Sequence, residues 1–309
     1  MSFFTKKESR SGLGLITFAL PVVLFIFLSI QSETFLSLQN LTNINSQVTA
    51  LLIASFGQML VALTAGIDLS VGAVISLTSA ILVTYDPAIA IVLAITAGTL
   101  VGIVNGVGIT VFNVHPLVMT LAMMTFLQGL SLLICPVPGG DVPDILEFIV
   151  KSKIFGLPAS IVWSVIAIGI VSFLLYSTRF GLRIFAIGAN SESAALNGVP
   201  VILPKIICYV FCSLSGVLAG MYLTARVSTG DPTIGASFGL ESVTAIALGG
   251  VQLSGGVGSV VGVVFGVLTL GLMTNGMNLI GISPFIRAAV TGILLLGAIS
   301  LQRRKVIGV

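Results

Sequence analysis

The chain has 309 residues, of which 56% are hydrophobic and only 7% charged, and its mean hydropathy is +1.19. A soluble domain carries about 25% charged residues, and a globule of this length cannot hide so much apolar surface from water, so the composition describes an integral membrane protein with lipid as solvent. The small net charge of +3, without a long basic tract, excludes nucleic acid as a partner, and three cysteines with one histidine form neither a disulfide framework nor a metal set.

A hydrocarbon core of about 30 Å needs about 20 helical residues. On that ruler ten segments predict spans, near 13–31, 44–65, 70–84, 88–110, 115–135, 159–177, 204–226, 237–250, 257–279 and 284–301. The first has a spanning length and no small-residue cleavage pattern after it, so it is not read as a signal peptide. The third and eighth are short and adjoin Gly-rich polar stretches, which predicts broken helices whose ends line a cavity. Cys208 and Cys212 share one helical face within an apolar run and read as small packing residues.

Charge sets the orientation. Lys6, Lys7 and Arg10 precede the first span, Arg179, Arg183 and Lys205 surround the loop after the sixth, and Arg303, Arg304 and Lys305 follow the last. With an even number of spans these fall on one side, which predicts that both termini are cytoplasmic and that the 136–158 loop, with Asp141, Asp144 and Glu147, is outside. Gly98, Gly102 and Gly106 followed by Pro116 resemble Gly258, Gly262 and Gly266 followed by Pro284, the prolines 168 positions apart. Five spans separate the halves, so the repeats are inverted, an architecture of transporters with the solute path near the repeat interface; glycine ladders also arise from close helix packing alone. The expected fold is one all-α transmembrane domain over 1–309, with about ten helices in two inverted repeats.

Few polar groups lie at membrane depth, and burying them is costly enough to make each a functional candidate. Asp68, followed by Ser70 before an apolar run, reads as a helix start whose carboxylate accepts backbone N–H bonds, or as part of the solute path. Glu241, opening the eighth segment, carries the same two readings. Gln58, Asn105, Asn275 and Asn278 are neutral amides that suit either sugar hydroxyls or interhelical hydrogen bonds. His115, before Pro116, reads as a cap or interface residue. The 249–258 run is glycine-rich but lacks the Gly-Lys-Ser/Thr ending of a phosphate-binding loop. No nucleophile–base–orienter set is present, so the chain does not read as an enzyme.

Between Arg179 and Pro204, Ser191 with Glu192 begins a short helix that Gly198 ends and Pro200 prevents from continuing. With this segment, the block Ala65–Gly66–Ile67–Asp68–Leu69–Ser70–Val71–Gly72, and the 249–258 run with Asn275–Gly276–Met277–Asn278–Leu279 downstream, the chain resembles ribose-type permeases of bacterial ATP-binding-cassette sugar importers over nearly its whole length. The resemblance implies a multi-pass inner-membrane subunit that translocates a monosaccharide by alternating access. It implies a second permease subunit, identical or similar, a cytoplasmic ATPase that binds ATP and Mg, and an extracytoplasmic solute-binding protein docking near 31–43, 136–158 and 227–236. No cofactor is implied in this chain. Asn190, Glu192, Ala194, Ala195 and Gly198, within a cytoplasmic loop of 179–203, match the family's coupling helix. Gln58, Asp68, Ser70, Asn105, Glu241, Asn275 and Asn278 are the candidate solute-path residues. Two alternatives stay open: an importer of a nucleoside, amino acid or signalling sugar derivative, and an ion-coupled carrier using Asp68 or Glu241.

Overall fold

The computed structural model describes residues 10–154 and 156–301, with side chains from Thr17 to Ser300. Lys6, Lys7, Arg303, Arg304 and Lys305, on which the orientation argument draws, lie outside the described residues. Helices α1 (Arg10–Gln31), α2 (Leu38–Leu63), α3 (Val71–Thr84), α4 (Pro87–Thr110) and α5 (Pro116–Ile134) form the first half. A connection follows with the short helix α6 (Asp144–Lys151) and a two-stranded hairpin, β1 (Lys153–Ile154) and β2 (Leu157–Pro158). The second half holds α7 (Ala159–Ser177), α8 (Arg179–Ala189), α9 (Ser191–Leu196), α10 (Ile202–Val227), α11 (Phe238–Leu248), α12 (Val260–Leu279) and α13 (Pro284–Leu301). Ten of these helices coincide with the ten apolar segments of the sequence, whereas α6, α8 and the hairpin were not anticipated.

Six helices, α2, α4, α5, α7, α10 and α12, are long and apolar enough to cross a membrane, and α1, α3, α11 and α13 contain shorter apolar helices. Their starts follow local chemistry. Ser37 caps α2 by accepting from the Asn40 N–H at 3.2 Å, and Asp86 caps α4 by accepting from Ala88. Proline opens α4, α5 and α13, where its missing N–H is not needed.

Burial divides the helices into a centre and a rim. The most apolar window of α2 is 89% buried, while those of α4, α5 and α7 are 28%, 17% and 22% buried. The exposed flanks carry Phe126, Ile166, Phe173 and Leu296, a surface suited to lipid rather than water. At the centre α2 crosses α10, where a side chain on Gly57 would lie 2.8 Å from the Cys212 backbone. Cys208 and Cys212 are free and buried there, as small packing residues.

The neighbour pattern is that of two swapped halves around the α2–α10 pair. α4 packs on α10 as α12 packs on α2; α3 meets α5 and α10 as α11 meets α13 and α2. The two glycine ladders nevertheless serve different contacts. Gly98, Gly102 and Gly106 lie against Val217, Val210 and Ile206 of α10, whereas Gly262 and Gly266 lie against Gly249 and Ala245. Gly258 precedes α12 altogether.

The short helices α3 and α11 meet start to start inside the bundle. A side chain at Gly72 would run into the Gly235 carbonyl and lie 3.0 Å from the Gly239 nitrogen, and one at Gly239 would lie 2.8 Å from the Leu69 carbonyl. The segment leading to α11 descends along α3, with the Asp231 and Gly235 N–H groups donating to Ser79 and Ser76, each at 3.0 Å.

One buried polar contact ties the halves. Asn40 Nδ2 donates to Asn275 Oδ1 at 3.2 Å, and Asn275 Nδ2 donates back to Asn40 Oδ1 at 2.8 Å. Asn275→Ala leaves the Asn40 oxygen without its donor, and the expected loss is about 1–3 kcal/mol. The check is thermal unfolding in detergent beside the unsubstituted chain, and an unchanged midpoint would show that the pair does not hold the halves.

Candidate functional site

The predicted solute-path residues fall into three places. Gln58, Asp68, Ser70 and Asn105 come together as one fully buried cluster at the start of α3. Asp68 Oδ1 accepts from the Ser70 N–H at 2.9 Å and from its hydroxyl at 2.6 Å, and Asn105 Nδ2 donates to the same hydroxyl at 2.9 Å. With its amide turned to satisfy both groups, Gln58 donates to the Asp68 carbonyl at 2.9 Å and accepts from the Asp68 N–H at 3.2 Å. The 64–70 segment is irregular backbone inside an apolar bundle, where each peptide group needs a partner; α2 supplies several of them, and Asn105 of α4 holds the Ser70 hydroxyl. Asp68 Oδ2, Asn105 Oδ1 and the Tyr209 hydroxyl are buried there without partners.

Asn275 pairs with Asn40, while Asn278 is exposed near the end of α12, itself a helix long and apolar enough to cross a membrane. His115 stands at the start of α5 and makes no side-chain cap hydrogen bond.

Glu241 lines a cavity of about 210 Å³ between α2, α10, α11, α12 and α13, in the half of the bundle nearer α6. Its polar wall includes Gln47, Arg226, Thr274, Arg287 and Thr291, and Phe238 and Leu51 supply apolar surface. At about 30 Å³ per water molecule, the space suits a small polar solute. The Glu241 N–H donates to the Ser237 carbonyl at 3.0 Å, and Arg287 acts on the Glu241 carboxyl electrostatically. Among the described residues the ion pair within 4 Å is Lys151–Glu147, so both arginines keep guanidinium donors for other oxygens. A second cavity of about 190 Å³ lies against α13 and shares Ser237, Glu241, Arg287 and Thr291. The sequence reading passed over Arg226 and Arg287 because they stand near the ends of apolar runs, where a snorkelling arginine is ordinary. The available signal was a charged side chain within reach of the bundle interior.

The two bundle faces carry different connections. On one face α8 runs into α9 through a single residue: the Asn190 N–H donates to the Ala186 carbonyl at 3.1 Å, while its side chain accepts from the Ser193 N–H at 2.9 Å. The helix thus begins at Ser191, as the sequence predicts, with Asn190 as its cap. Ala194 is buried, whereas Glu192, Ala195 and Leu196 are exposed. Gly198, at φ +78°, closes α9 by donating to Ala195.

On the opposite face the two halves are clasped. Gly139 and Gly230 exchange backbone hydrogen bonds at 2.9 and 3.1 Å. Lys151 pairs with Glu147 at 3.1 Å and donates to the Ser228 hydroxyl at the end of α10. Ser228 and Lys151 hold the Glu147 carboxyl below its ordinary value of 4.5. A depressed carboxyl contributes stability that is fully present above the ordinary value and lost as pH falls through the lowered one. Hydrogen exchange at Gly139 and Gly230, corrected for intrinsic rates, is therefore expected to stay level above 4.5 and to quicken under more acidic conditions. Glu147→Gln removes that dependence.

Comparison with known proteins adds a second line. A family model described as branched-chain amino acid transport system / permease component matches residues 40–299. The chain is 38% identical over 291 residues to the ribose import permease protein RbsC of Bacillus subtilis (strain 168), covering 92% of this chain and 90% of that one. It is 33% identical over 317 residues to RbsC of Escherichia coli (strain K12), covering 98% and 97%. It is 35% identical over 291 residues to the L-arabinose transport system permease protein AraH of the same strain, covering 92% and 88%. No solved structure matches.

Proposed function

Because this chain belongs to the branched-chain amino acid transport system / permease component family, we propose that it is the permease subunit of an ATP-binding-cassette importer for a monosaccharide. It is a transport subunit and not an enzyme. Within a family described by amino-acid transport, the sugar assignment draws on relatives whose names specify ribose and arabinose import across nearly the full chain. The observation that carries the geometry is the polar cavity beside the meeting point of two half-helices. Irregular backbone is tolerated at membrane depth where it is buried in protein or lines a solute path. Gln47, Arg226, Glu241, Thr274, Arg287 and Thr291 offer donors and acceptors for sugar hydroxyls, and Phe238 offers an apolar face. In this reading the Gln58–Asp68–Ser70–Asn105 cluster holds the start of α3, and Glu241 is the sequence-predicted residue nearest the solute.

The α8–α9 face is placed in the cytoplasm with both termini. There Glu192, Ala195 and the 84% exposed Leu196 present a short capped helix to the groove of a partner ATPase, which binds ATP and Mg and hydrolyses ATP. The α6 face, clasped by Gly139–Gly230, receives the extracytoplasmic binding protein. A second permease subunit completes the assembly in the inner membrane, and ATP-driven movement of α9 switches the access of the cavity between faces.

The test is reconstitution of the complex co-purified from its native membrane into proteoliposomes, with labelled ribose, arabinose and leucine offered separately. ATP-dependent uptake of a monosaccharide is the expected result. Leucine as the transported solute overturns the sugar assignment, and uptake driven by an ion gradient without ATP overturns the importer.

A further inference from the structure

On the face that carries α8 and α9, three backbone segments touch with no side chain between them. Gly188, in the last turn of α8, lies so close to the Leu63 carbonyl that a methyl group there would overlap it, and would sit 2.9 Å from the Gly256 Cα. The Gly256 N–H donates to that same Leu63 carbonyl at 3.0 Å. A side chain on Gly256 would lie 2.8 Å from the Ala189 nitrogen, and one on Gly255 would lie 2.9 Å from the Ala65 nitrogen and 3.0 Å from the Gly188 carbonyl. Ala65 takes φ 62° to make the turn out of α2, and Gly255 and Gly256 take φ +87° and +79°.

Each segment leads somewhere different. Leu63 and Ala65 open the irregular stretch that ends in α3. Gly255 and Gly256 belong to the loop between α11 and α12. Gly188 is joined to α9 through Asn190, which bonds backward to Ala186 and forward to Ser193, so α8 and α9 have no slack between them. Buried Ile184, one turn before Gly188 on the same helix face, and buried Ile187 hold α8 against the bundle. A push on α9 therefore reaches both half-helices through backbone contacts that no side-chain rotation can absorb.

We propose that Gly188, Gly255 and Gly256 form the joint through which the coupling helix drives α3 and α11 together, with Gly188 as its positioning residue. This rests on the importer reading above. Side chains are excluded at the joint because direct backbone contact transmits a small displacement, whereas a flexible side chain would take it up. Packed elements with discrete arrangements carry coupling between distant sites in this way.

The experiment uses the complete transporter in proteoliposomes and reads ATP hydrolysis and sugar uptake together for the unsubstituted chain and for Gly188→Ala. The expected result is an assembled complex that still hydrolyses ATP, with uptake per ATP lowered about tenfold, a typical size for a broken coupling between sites. Unchanged uptake per ATP in an assembled Gly188→Ala complex overturns the joint. A second measurement leaves the glycines intact, so it holds even where the alanine variant fails to assemble. Spin labels at Asn197→Cys, the exposed residue that ends α9, and at Val257→Cys report the distance from α9 to the α11–α12 loop with and without a non-hydrolysable ATP analogue. That distance stays constant if the joint moves as one body, and a change overturns the proposal. No ATP-driven uptake by the unsubstituted complex removes the importer reading, and the joint falls with it; uptake that persists while the spin-label distance changes removes the joint alone.

Discussion

Gly72→Val is expected to prevent the bundle from closing, with loss of the monodisperse species in detergent and of thermal stability by about 3 kcal/mol or more. The added side chain meets the Gly235 carbonyl and the Gly239 nitrogen, and a side chain at Gly235 would in turn meet the Gly72 carbonyl and come within 2.7 Å of Ile75 Cβ. Both partners are backbone, Gly239 within α11 and Gly235 held to Ser76 of α3 through its N–H, so neither can move aside as a side chain would. Gly129→Val on α5 is the control: the same chemistry falls on an exposed helix flank, where an added Cβ meets nothing within 4 Å. Equal stability of the two variants in the same detergent would show that the half-helices do not meet where the structure brings them together.

That meeting point also accounts for where the acidic residues sit. A helix start carries a partial positive charge of about half a unit, and two starts face each other here. Asp68 lies at one, accepting from Ser70, and Glu241 lies in the first turn of the other. The carboxylates thus offset a repulsion that the crossing of α3 and α11 creates.

Much of this architecture is legible in the sequence because a lipid core imposes a length on every apolar run. Ten runs found by that ruler are ten helices, and the two short ones are the half-helices that meet. What the ruler cannot see is structure outside the core. α6 (Asp144–Lys151) and α8 (Arg179–Ala189) are amphipathic and short, and their stability comes from the bundle they lie on rather than from an apolar run. Run length puts Asn278 within a span but does not say which face of the helix it stands on, and it stands on an exposed one. The Asp68–Ser70 helix start was readable from Asx chemistry, but its partners Gln58 and Asn105 are distant in the chain. Only folding shows that these three elements converge. Arg226 and Arg287 remained hidden for the same reason: each alone is an arginine near a helix end, and the cavity exists only once α10 and α13 stand on either side of Glu241.

Glu241→Gln is expected to lower ATP-driven sugar uptake about tenfold or more while leaving membrane abundance unchanged. Two interactions are lost together. The α11 start loses the charge that complements its dipole, worth up to ~2 kcal/mol where partly buried. Arg287 also loses the acid that acts on it across the cavity. The first loss acts on the stability of α11; the second acts on translocation, where about 1.4 kcal/mol corresponds to each tenfold in rate. Glutamine preserves the shape, which isolates charge as the cause, and Glu241→Asp, which keeps the charge, is expected to recover part of the uptake. Measuring uptake against sugar concentration, delivered with a saturating binding protein, separates translocation from docking. Uptake by Glu241→Gln at the unsubstituted rate would remove Glu241 from the solute path and leave it as the helix-start charge alone.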